Sequence, residues 1–373
     1  MRIAMIGHKR FGSREGGVEV VVTELARRMA ALGHEVTCYD RGGKDVMTGD
    51  RAHGERVVDG VRVVPVRTID ARGMAALSSS FFATLAAVKD KPDVIHYHAE
   101  GPCVPLPMAR RAGIRTVATI HGLDWQRAKW GRLASSYIKL GEKNAAGCAD
   151  EVIVLSRSTQ RYFRETYGRK TLVIPNGINP KEPRAARVIT ERWGLGRGSY
   201  ILFLGRLVPE KRPELLIEAF RGLETDKCLV IAGGGSDTSA YETALRQAAE
   251  GDDRILFTGF VQGEELAELY SNAYCYVLPS DVEGMPMSLL EAMAYGCCCV
   301  TSDIPECADV LAGTGMTFER GSAAGLRQVL VSLLKDDGEA RALGLTARKR
   351  ALESFGWDSV VRWTLETYEG AAG

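Results

Sequence analysis

Along this chain of 373 residues, short strand-like apolar runs alternate with longer helix-like stripes, and the whole pattern occurs twice. In the stripes, apolar residues recur every three or four positions, which is typical of helices packed on a sheet. Alternating strands and helices predict mostly parallel, doubly wound α/β sheets. The predicted strands are Ile3–Gly7, Glu35–Tyr39, Val61–Val66, Asp93–Tyr97, Thr116–Ile120, Glu151–Leu155, Tyr200–Leu204, Cys228–Ala232, Arg254–Thr258, Tyr274–Leu278 and Cys298–Thr301.

A breaker segment separates the two repeats of this pattern. Residues 175–183 contain three prolines and an Asn-Gly pair, which favour an interdomain hinge. We predict an N-terminal Rossmann-like domain over residues 1–178, a C-terminal one over 179–355, and a final helix over 356–373 that packs back on the first domain. Parallel sheets bind ligands at the carboxyl ends of their strands, so we expect the two domains to face each other across a ligand-binding cleft.

Composition excludes several classes of protein. Hydrophobic residues make up 45% and charged residues 25% of the chain, as in globular proteins. No apolar run reaches the ~18 residues of a membrane-spanning helix, and the first apolar run is too short for a signal peptide, so we expect a cytoplasmic protein. The nine cysteines include no Cys-x-x-Cys pair, and Cys297–Cys299 is a contiguous run, which favours buried reduced thiols over disulfides or zinc ligands.

Charge is distributed unevenly between the two halves. Residues 1–175 contain 28 basic and 18 acidic residues, whereas residues 176–373 contain 20 and 29. In residues 125–144, basic and aromatic side chains interleave, which suits a membrane surface or an anionic acceptor, although a solvated helix face is the alternative. We expect acceptor contacts from Arg127, Lys129 and Trp130. Nucleic acid is a poorer candidate because the second half is acidic and contains no recognition motif.

The most specific local pattern is a loop and helix start near residue 283. Glu283 precedes Gly284-Met285-Pro286, and Glu291 follows after nearly two helical turns. Proline suits a first helical turn, and the positive helix end suits a diphosphate. The two carboxylates can accept hydrogens from sugar hydroxyls on either side of that diphosphate. The purely structural alternative is a helix cap with a buried ion pair.

This pattern resembles the donor-site signature of the family 4 retaining glycosyltransferases, which have the GT-B fold of two facing Rossmann-like domains. The resemblance covers almost the whole chain. The matching segments, in order, are Gly16-Gly17-Val18-Glu19, Gly33-His34-Glu35-Val36, Asp93-Val94-Ile95-His96, Thr119-Ile120-His121-Gly122, Ala149-Asp150-Glu151-Val152-Ile153, Ile174-Pro175-Asn176-Gly177-Ile178, Gly205-Arg206-Leu207 with Glu210-Lys211, Ile231-Ala232-Gly233-Gly234-Gly235 and Phe355-Gly356-Trp357.

The resemblance implies a set of donor-binding residues in the second half. Arg206 and Lys211 would hold the donor diphosphate and neutralise the charge that develops on the leaving group; a solvated loop is the alternative. Glu291 would bind the ribose hydroxyls and Glu283 those of the transferred sugar. Gly284, Met285 and Pro286 would complete the donor site.

In the first half, the resemblance implies that the backbone at Gly16 and Gly17 approaches the donor, because glycine has no Cβ to prevent it. His121 would contact the donor sugar near the reacting carbon, while His96 and His98 are structural or face the acceptor. Glu19 is a candidate acceptor contact.

The activity implied is transfer of a hexosyl or rhamnosyl group from a UDP-, GDP- or dTDP-sugar to a glycan or lipid-diphosphate acceptor. Front-face substitution would retain the anomeric configuration.

No cofactor or metal is expected, because the chain has no Asp-x-Asp motif and the two cations Arg206 and Lys211 can replace a divalent ion. The nearest pattern to that motif is Asp281-Val282-Glu283. Peripheral contact with an anionic membrane is a further expectation.

The opening segment is similar to a subset that includes rhamnosyltransferases of bacterial surface polysaccharides. That subset usually has aromatic residues on both sides of the glycine pair, where this chain has Glu15 and Val18.

Three other classes of protein compete with this interpretation. A nucleotide-sugar-binding protein without transfer activity could dispense with His121 and Glu283, both of which are present. A GT-B epimerase would need no acceptor, which the basic first half mildly disfavours. A dinucleotide oxidoreductase would require Gly-x-Gly-x-x-Gly after the first strand, and the first loop lacks it.

Overall fold

The computed structural model describes residues 1–14, 16–42, 54–69, 74–126, 131–234 and 239–370. The chain forms two compact units. The first comprises Met1–Gly177 together with Trp357–Gly373, and the second comprises Ile178–Gly356. No helix in the described ranges is both long and apolar enough to cross a lipid bilayer.

The first unit is built on a sheet of eight strands within its described residues. All neighbouring strands run parallel except β3 and β4, and the spatial order is β3-β4-β2-β1-β5-β6-β7-β8. The strand order reverses between β1 and β5, which is where sheets of this kind bind ligands. The strands are β1 (Arg2–Ile6), β2 (Glu35–Arg41), β3 (Arg56–Val58), β4 (Val61–Val66), β5 (Val94–His98), β6 (Arg115–Ile120), β7 (Glu151–Val154) and β8 (Leu172–Val173).

Helices cover this sheet and bury its apolar side chains. The α1 stripe of Val21, Val22, Leu25 and Met29 is buried, in agreement with its spacing in the sequence. The helices of the unit are α1 (Gly17–Ala31), α2 (Met74–Asp90), α3 (Leu106–Arg111), α4 (Arg132–Cys148), α5 (Arg157–Tyr167) and the C-terminal α14 (Trp357–Glu369).

The second unit contains an all-parallel sheet of six strands in its described part, in the order β11-β10-β9-β12-β13-β14. Its order reverses between β9 and β12. The strands are β9 (Tyr200–Leu204), β10 (Cys228–Ala232), β11 (Ile255–Gly259), β12 (Cys275–Leu278), β13 (Cys299–Ser302) and β14 (Met316–Phe318). The helices are α6 (Val188–Trp193), α7 (Pro213–Arg221), α8 (Ser239–Ala249), α9 (Gly263–Asn272), α10 (Met287–Tyr295), α11 (Pro305–Leu311), α12 (Ala323–Leu333) and α13 (Asp337–Ser354).

All nine cysteines are free thiols. Cys297, Cys298 and Cys299 are buried just before and within β13. Burial raises the pKa of each of these three thiols, so they stay protonated and behave as small apolar side chains.

Helix α14 packs on the first unit. A Cβ on Gly177 would lie 2.3 Å from the Trp357 ring, so only glycine permits this approach. At the other end of the helix, Arg115 donates from Nη2 to the Thr367 carbonyl at 3.0 Å. The chain therefore returns to its first unit after completing the second.

Candidate active site

Lys211 and Glu283 form an ion pair at the carboxyl edge of the second sheet. Lys211 ends a 3-10 turn (Pro209–Lys211) after β9, and Glu283 lies in the loop after β12. Because β9 and β12 are parallel neighbours, these segments emerge at the same edge. Lys211 Nζ lies 2.6 Å from Glu283 Oε1, and the side chains are 13% and 12% exposed.

Ser280 supports this ion pair. The Ser280 hydroxyl donates to Glu283 Oε1 at 2.7 Å. The Ser280 carbonyl oxygen in turn accepts a hydrogen bond from Ser302 Oγ at 2.5 Å. Two donors on one carboxylate oxygen favour the charged carboxylate and fix its orientation. Ser280 is not among the predicted site residues; its position at a strand end, three residues before Glu283, is the signal that could have identified it.

Arg206 provides a second cation near this edge. It lies two residues after β9 and is half-buried. Within the described ranges, the Arg206 guanidinium has no hydrogen-bond or ion-pair partner. In contrast, Arg212 contacts both Asp281, at 2.8 Å, and Glu214, at 2.7 Å. Arg206 is therefore available for an anion, whereas Arg212 is neutralised by the protein.

The start of α10 lies close to the same edge. Gly284, Met285 and Pro286 are buried, and Pro286 is the N-cap, so the helix begins one residue later than its sequence suggests. The first-turn amides of a helix carry a partial positive charge and can bind a phosphate.

Glu291 lies in the second turn of α10 and is 9% exposed. The Tyr270 hydroxyl lies 3.5 Å from Glu291 Oε2 and 3.2 Å from the Ser288 carbonyl oxygen. Burial, followed by the nearby Glu291 charge, raises the pKa of Tyr270 well above its usual value, so Tyr270 is a hydrogen-bond donor. Sequence reasoning missed Tyr270 because it belongs to α9, outside the Glu-x7-Glu pattern.

Glycine is required where β10 passes close to the loop after β9. Gly233 has φ +144°, and a Cβ there would lie 1.8 Å from the Gly205 carbonyl oxygen. The run Gly233-Gly234-Gly235 is therefore explained in part by strand packing. Its last member, Gly235, lies outside the described residues.

His121 follows β6 at the carboxyl edge of the first sheet and is 9% exposed. Its Nε2 lies 3.0 Å from Nδ1 of His98, the last residue of the adjacent strand β5. His96 and His98 are both fully buried. Burial lowers the pKa of His96 to about 3 and that of His98 well below its usual value, so both imidazoles are neutral.

The glycine pair lies at the start of α1, with Gly16 as the N-cap and Gly17 as the first residue. Glu19 is buried, and its Oε1 accepts a hydrogen bond from the Lys9 amide at 3.0 Å. Glu19 therefore holds the loop before the helix, and its role toward an acceptor stays a prediction. The other predicted acceptor residues, Arg127, Lys129 and Trp130, lie outside the described residues.

A hollow of about 270 Å³ in the first unit lies at the opposite edge of the sheet from His121. It is lined by Arg2 and Glu35, the first residues of β1 and β2, and by Tyr39, Arg62 and Asp90. None of the predicted site residues lines it.

Comparison with known proteins places the chain in a family. Residues 15–182 match the family model described as Glycosyltransferase Family 4, and residues 190–350 match the model described as Glycosyl transferases group 1. In structure, the chain is similar to sucrose-phosphate synthase from Thermosynechococcus elongatus, with a TM-score of 0.82, 22% identity and coverage of 99% of this chain and 98% of that one. The fold and the matched models thus define a glycosyltransferase of the GT-B class.

The chain belongs to the family 4 glycosyltransferases, and the resemblance seen in the sequence is confirmed. It is 29% identical over 380 residues to the GDP-mannose-dependent alpha-(1-6)-phosphatidylinositol monomannoside mannosyltransferase of Mycolicibacterium smegmatis, with 93% of each chain covered. It is 28% identical over 388 residues to the D-inositol 3-phosphate glycosyltransferase of Xylanimonas cellulosilytica, covering 95% of this chain and 92% of that one.

Proposed function

We propose that this glycosyltransferase moves a sugar from a nucleoside-diphosphate donor to a hydroxyl of a glycan or lipid-linked acceptor, with retention of anomeric configuration. The Lys211–Glu283 ion pair, with Arg206 in the same loop as Lys211, is the observation that carries the proposal. Two cations and a helix N-terminus at one sheet edge suit a diphosphate, and the carboxylate suits sugar hydroxyls. The GDP-mannose-dependent relative supports a nucleotide-sugar donor.

Each donor contact has a distinct role in this proposal. Arg206, Lys211 and the first amides of α10 bind the diphosphate, and Glu291 accepts hydrogens from the ribose hydroxyls. Gly284, Met285 and Pro286, just before α10, complete the donor site. Glu283 accepts hydrogens from the hydroxyls of the transferred sugar. The role proposed for His121 is a contact with a sugar near its reacting carbon. Gly16 and Gly17 bring backbone near the donor.

The chemical step proposed is front-face substitution. The bond from the anomeric carbon to the phosphate oxygen breaks, and its electron pair stays on the diphosphate. The acceptor oxygen bonds to the same face of that carbon, and its proton passes to the departing phosphate oxygen. Arg206 and Lys211 stabilise the charge that develops there, in the place of a divalent ion. A covalent sugar on Glu283 or Glu19, detected by mass spectrometry, would refute this step.

Donor identity and stereochemistry are tested together. A thermal-shift screen of UDP-, GDP-, ADP- and dTDP-sugars should single out one donor, since a bound ligand raises the melting temperature. Glu291→Ala should reduce that shift. NMR of the product should show the donor's anomeric configuration, and activity should persist in a metal chelator; an inverted product or a dependence on a divalent ion would contradict the proposal.

The same assays separate the two alternative functions. A binding protein would give the thermal shift without product in any acceptor mixture. An epimerase or hydrolase would change the donor with no acceptor present.

The acceptor side of the proposal rests on an exposed face of α4. Leu133 and Leu140 are 89% and 48% exposed, and they share that face with exposed basic residues. The acidic residue of the segment, Glu142, is buried and accepts a hydrogen bond from Trp125 Nε1 at 3.0 Å. The exposed face therefore presents leucines and positive charge without negative charge. Its basic members are Arg132, Lys139 and Lys143.

A basic and apolar helix face suits peripheral contact with an anionic membrane, where a lipid-linked acceptor of surface polysaccharide synthesis would lie. The phosphatidylinositol monomannoside named for the mycobacterial relative is also a lipid. The corresponding location is the cytoplasm, at the inner face of the membrane.

Liposome flotation tests this surface. The wild type should float with vesicles containing phosphatidylglycerol and remain in solution with pure phosphatidylcholine. The double variant Leu133→Ser/Leu140→Ser should lose flotation, while Leu345→Ser, at a leucine of the second unit that is 69% exposed, should not. Equal recovery of the wild type with both kinds of vesicle would refute specific contact with an anionic membrane.

A further inference from the structure

The side chain of His98 makes one hydrogen bond among the described residues, and that bond goes to His121. His98 Nδ1 and His121 Nε2 are 3.0 Å apart. The other ring nitrogen of His98, Nε2, is buried without a hydrogen-bond partner in the same residues. The proposed chemistry uses His121 and leaves His98 without a role.

A hydrogen bond between two imidazole nitrogens needs one proton, and that proton belongs to one of the two rings. If His121 donated from Nε2, neutral His98 would have its own proton on Nε2, where a buried N–H would be left unpaired. If His98 donates from Nδ1, only a lone pair of Nε2 is left unpaired. Unpaired buried N–H groups are rarer in proteins than incompletely paired acceptors.

A charged His98 does not fit the surroundings either. An imidazolium would have N–H groups on both nitrogens and would bring a positive charge into a fully buried position. Burial and the neighbouring histidines His96, His121 and His8 lower the pKa of His98 well below its usual value.

The ring of His98 is held in place by its packing against His96. His96 packs against it with ring centroids 4.0 Å apart. His96 is itself fixed at both nitrogens: Nδ1 lies 2.6 Å from the Tyr368 hydroxyl, and Nε2 lies 2.7 Å from Thr119 Oγ1. The orientation of His98 is thus determined by the sheet and by α14.

We propose that His98 is a positioning residue that fixes the tautomer of His121: His98 donates from Nδ1 to Nε2 of His121, so that His121 has its own proton on Nδ1. The proposal rests on the role given to His121 above. His121 then presents an N–H donor to an oxygen of the sugar, and its Nε2 is not available to accept the acceptor's proton. The proton is left to the departing phosphate oxygen.

The wild-type protein provides a direct test that needs no activity. In protein labelled with 15N-histidine, long-range 15N–1H correlation spectra distinguish protonated from unprotonated ring nitrogens for each of the six histidines. The His121 signals, assigned by their loss in His121→Asn, should show protonated Nδ1 and unprotonated Nε2. A protonated Nε2 on His121 would overturn the proposal even if the protein proves to be a retaining glycosyltransferase.

Two variants of His98 provide a kinetic test. His98→Leu removes the donor and should lower kcat on the order of 10- to 100-fold, with the donor KM and the nucleotide-induced thermal shift nearly unchanged. His98→Asn places an amide N–H close to the position of Nδ1 and should restore most of kcat. Tyr97→Phe removes a buried hydroxyl from the same strand and serves as the matched control, with unchanged kcat.

The outcomes separate this proposal from the proposed function. Equal losses in His98→Leu and His98→Asn, or full activity in His98→Leu, would refute the positioning role alone. Absence of transfer in the wild type with every donor and acceptor would refute the proposed function, and the NMR result would still decide the tautomer.

Discussion

Lys211 and Glu283 contact each other directly, yet each is assigned to bind the donor. The two roles are compatible because a lysine ammonium has three N–H donors, and the contact with Glu283 uses one of them. Glu283 in turn keeps Lys211 in a fixed position before any anion arrives. Such preorganisation is what makes a charged group effective at a developing negative charge.

We expect Lys211→Ala to lower kcat by on the order of 10²-fold, as for the loss of one donor that stabilises developing charge. The variant also leaves Glu283 without its cation, so Lys211→Arg should recover part of the activity. Arg221→Ala, which removes a cation of the same unit that bonds the carbonyls of Ala248 and Glu250, is the control and should retain full kcat. Steady-state kinetics with the preferred donor decide the matter; unchanged kcat in Lys211→Ala would refute the role of Lys211.

At the level of elements, strands of five or six residues could be predicted closely. The strand predicted over Tyr200–Leu204 has those bounds in the structure, and the one predicted over Val61–Val66 does as well. The edge strands β3 and β14 escaped prediction because each has three residues and includes exposed or half-exposed positions. So short a run has no clear period.

Residue contacts across the sheets could be predicted less well than the strands themselves. The pairing of Lys211 with Glu283 depends on β9 lying beside β12, although 72 residues separate the two side chains. The contact between His98 and His121 likewise depends on the pairing of β5 with β6. The sequence places each of these residues at a strand end, but only the strand order determines which ends are neighbours.

The end of β1 provides a prediction at the element level. Gly7 has φ +123°, and a Cβ there would lie 2.1 Å from the His98 carbonyl oxygen. Gly33 has φ +87°, and a Cβ there would meet no neighbouring atom within 4 Å. Gly33→Ala should therefore destabilise the protein by about 1–2 kcal/mol, the cost of a left-handed backbone with a Cβ. Gly7→Ala should cost a further ~1–3 kcal/mol, because β1 and β5 must move apart.

Denaturant titrations of both glycine variants measure this difference in the free energy of unfolding. Gly7→Ala should also lower kcat, since β5 carries His98. Equal destabilisation by the two substitutions would show that the backbone angle alone, and not the close approach of the strands, requires glycine at position 7.

At the scale of the whole molecule, the C-terminal helix contacts the buried histidines next to His121. Helix α14 follows the entire second unit in sequence, but its Tyr368 contacts His96 in the first. Arg28 also lies 3.0 Å from Asp358 on this helix. The buried histidines of the first sheet therefore depend on the last residues of the chain for part of their environment.

These buried histidines should make the stability of the protein depend on pH. In the unfolded chain, histidines take up protons near pH 6.5, whereas His96 stays neutral in the fold until about pH 3 because burial lowers its pKa. Between these limits only the unfolded state binds the proton, so stability falls as the pH is lowered. The loss is about 1.4 kcal/mol per pH unit for each such histidine. Burial shifts the pKa of His98 in the same direction. The two histidines together should therefore lower the free energy of unfolding by about 4 kcal/mol between pH 7.5 and pH 5.

Unfolding by urea at a series of pH values from 7.5 to 5 measures this loss. Most carboxylates titrate below this window, but burial raises the pKa of Glu100 well above its usual value, and its protonation in the folded protein opposes the effect of the histidines. His96→Gln removes one buried imidazole and leaves Glu100 in place, so the loss of stability below pH 6.5 should be smaller than in the wild type by about 1.4 kcal/mol per pH unit. An unchanged slope in His96→Gln would mean that His96 takes up a proton in the folded protein, and hence that the row of imidazoles behind His121 is open to water.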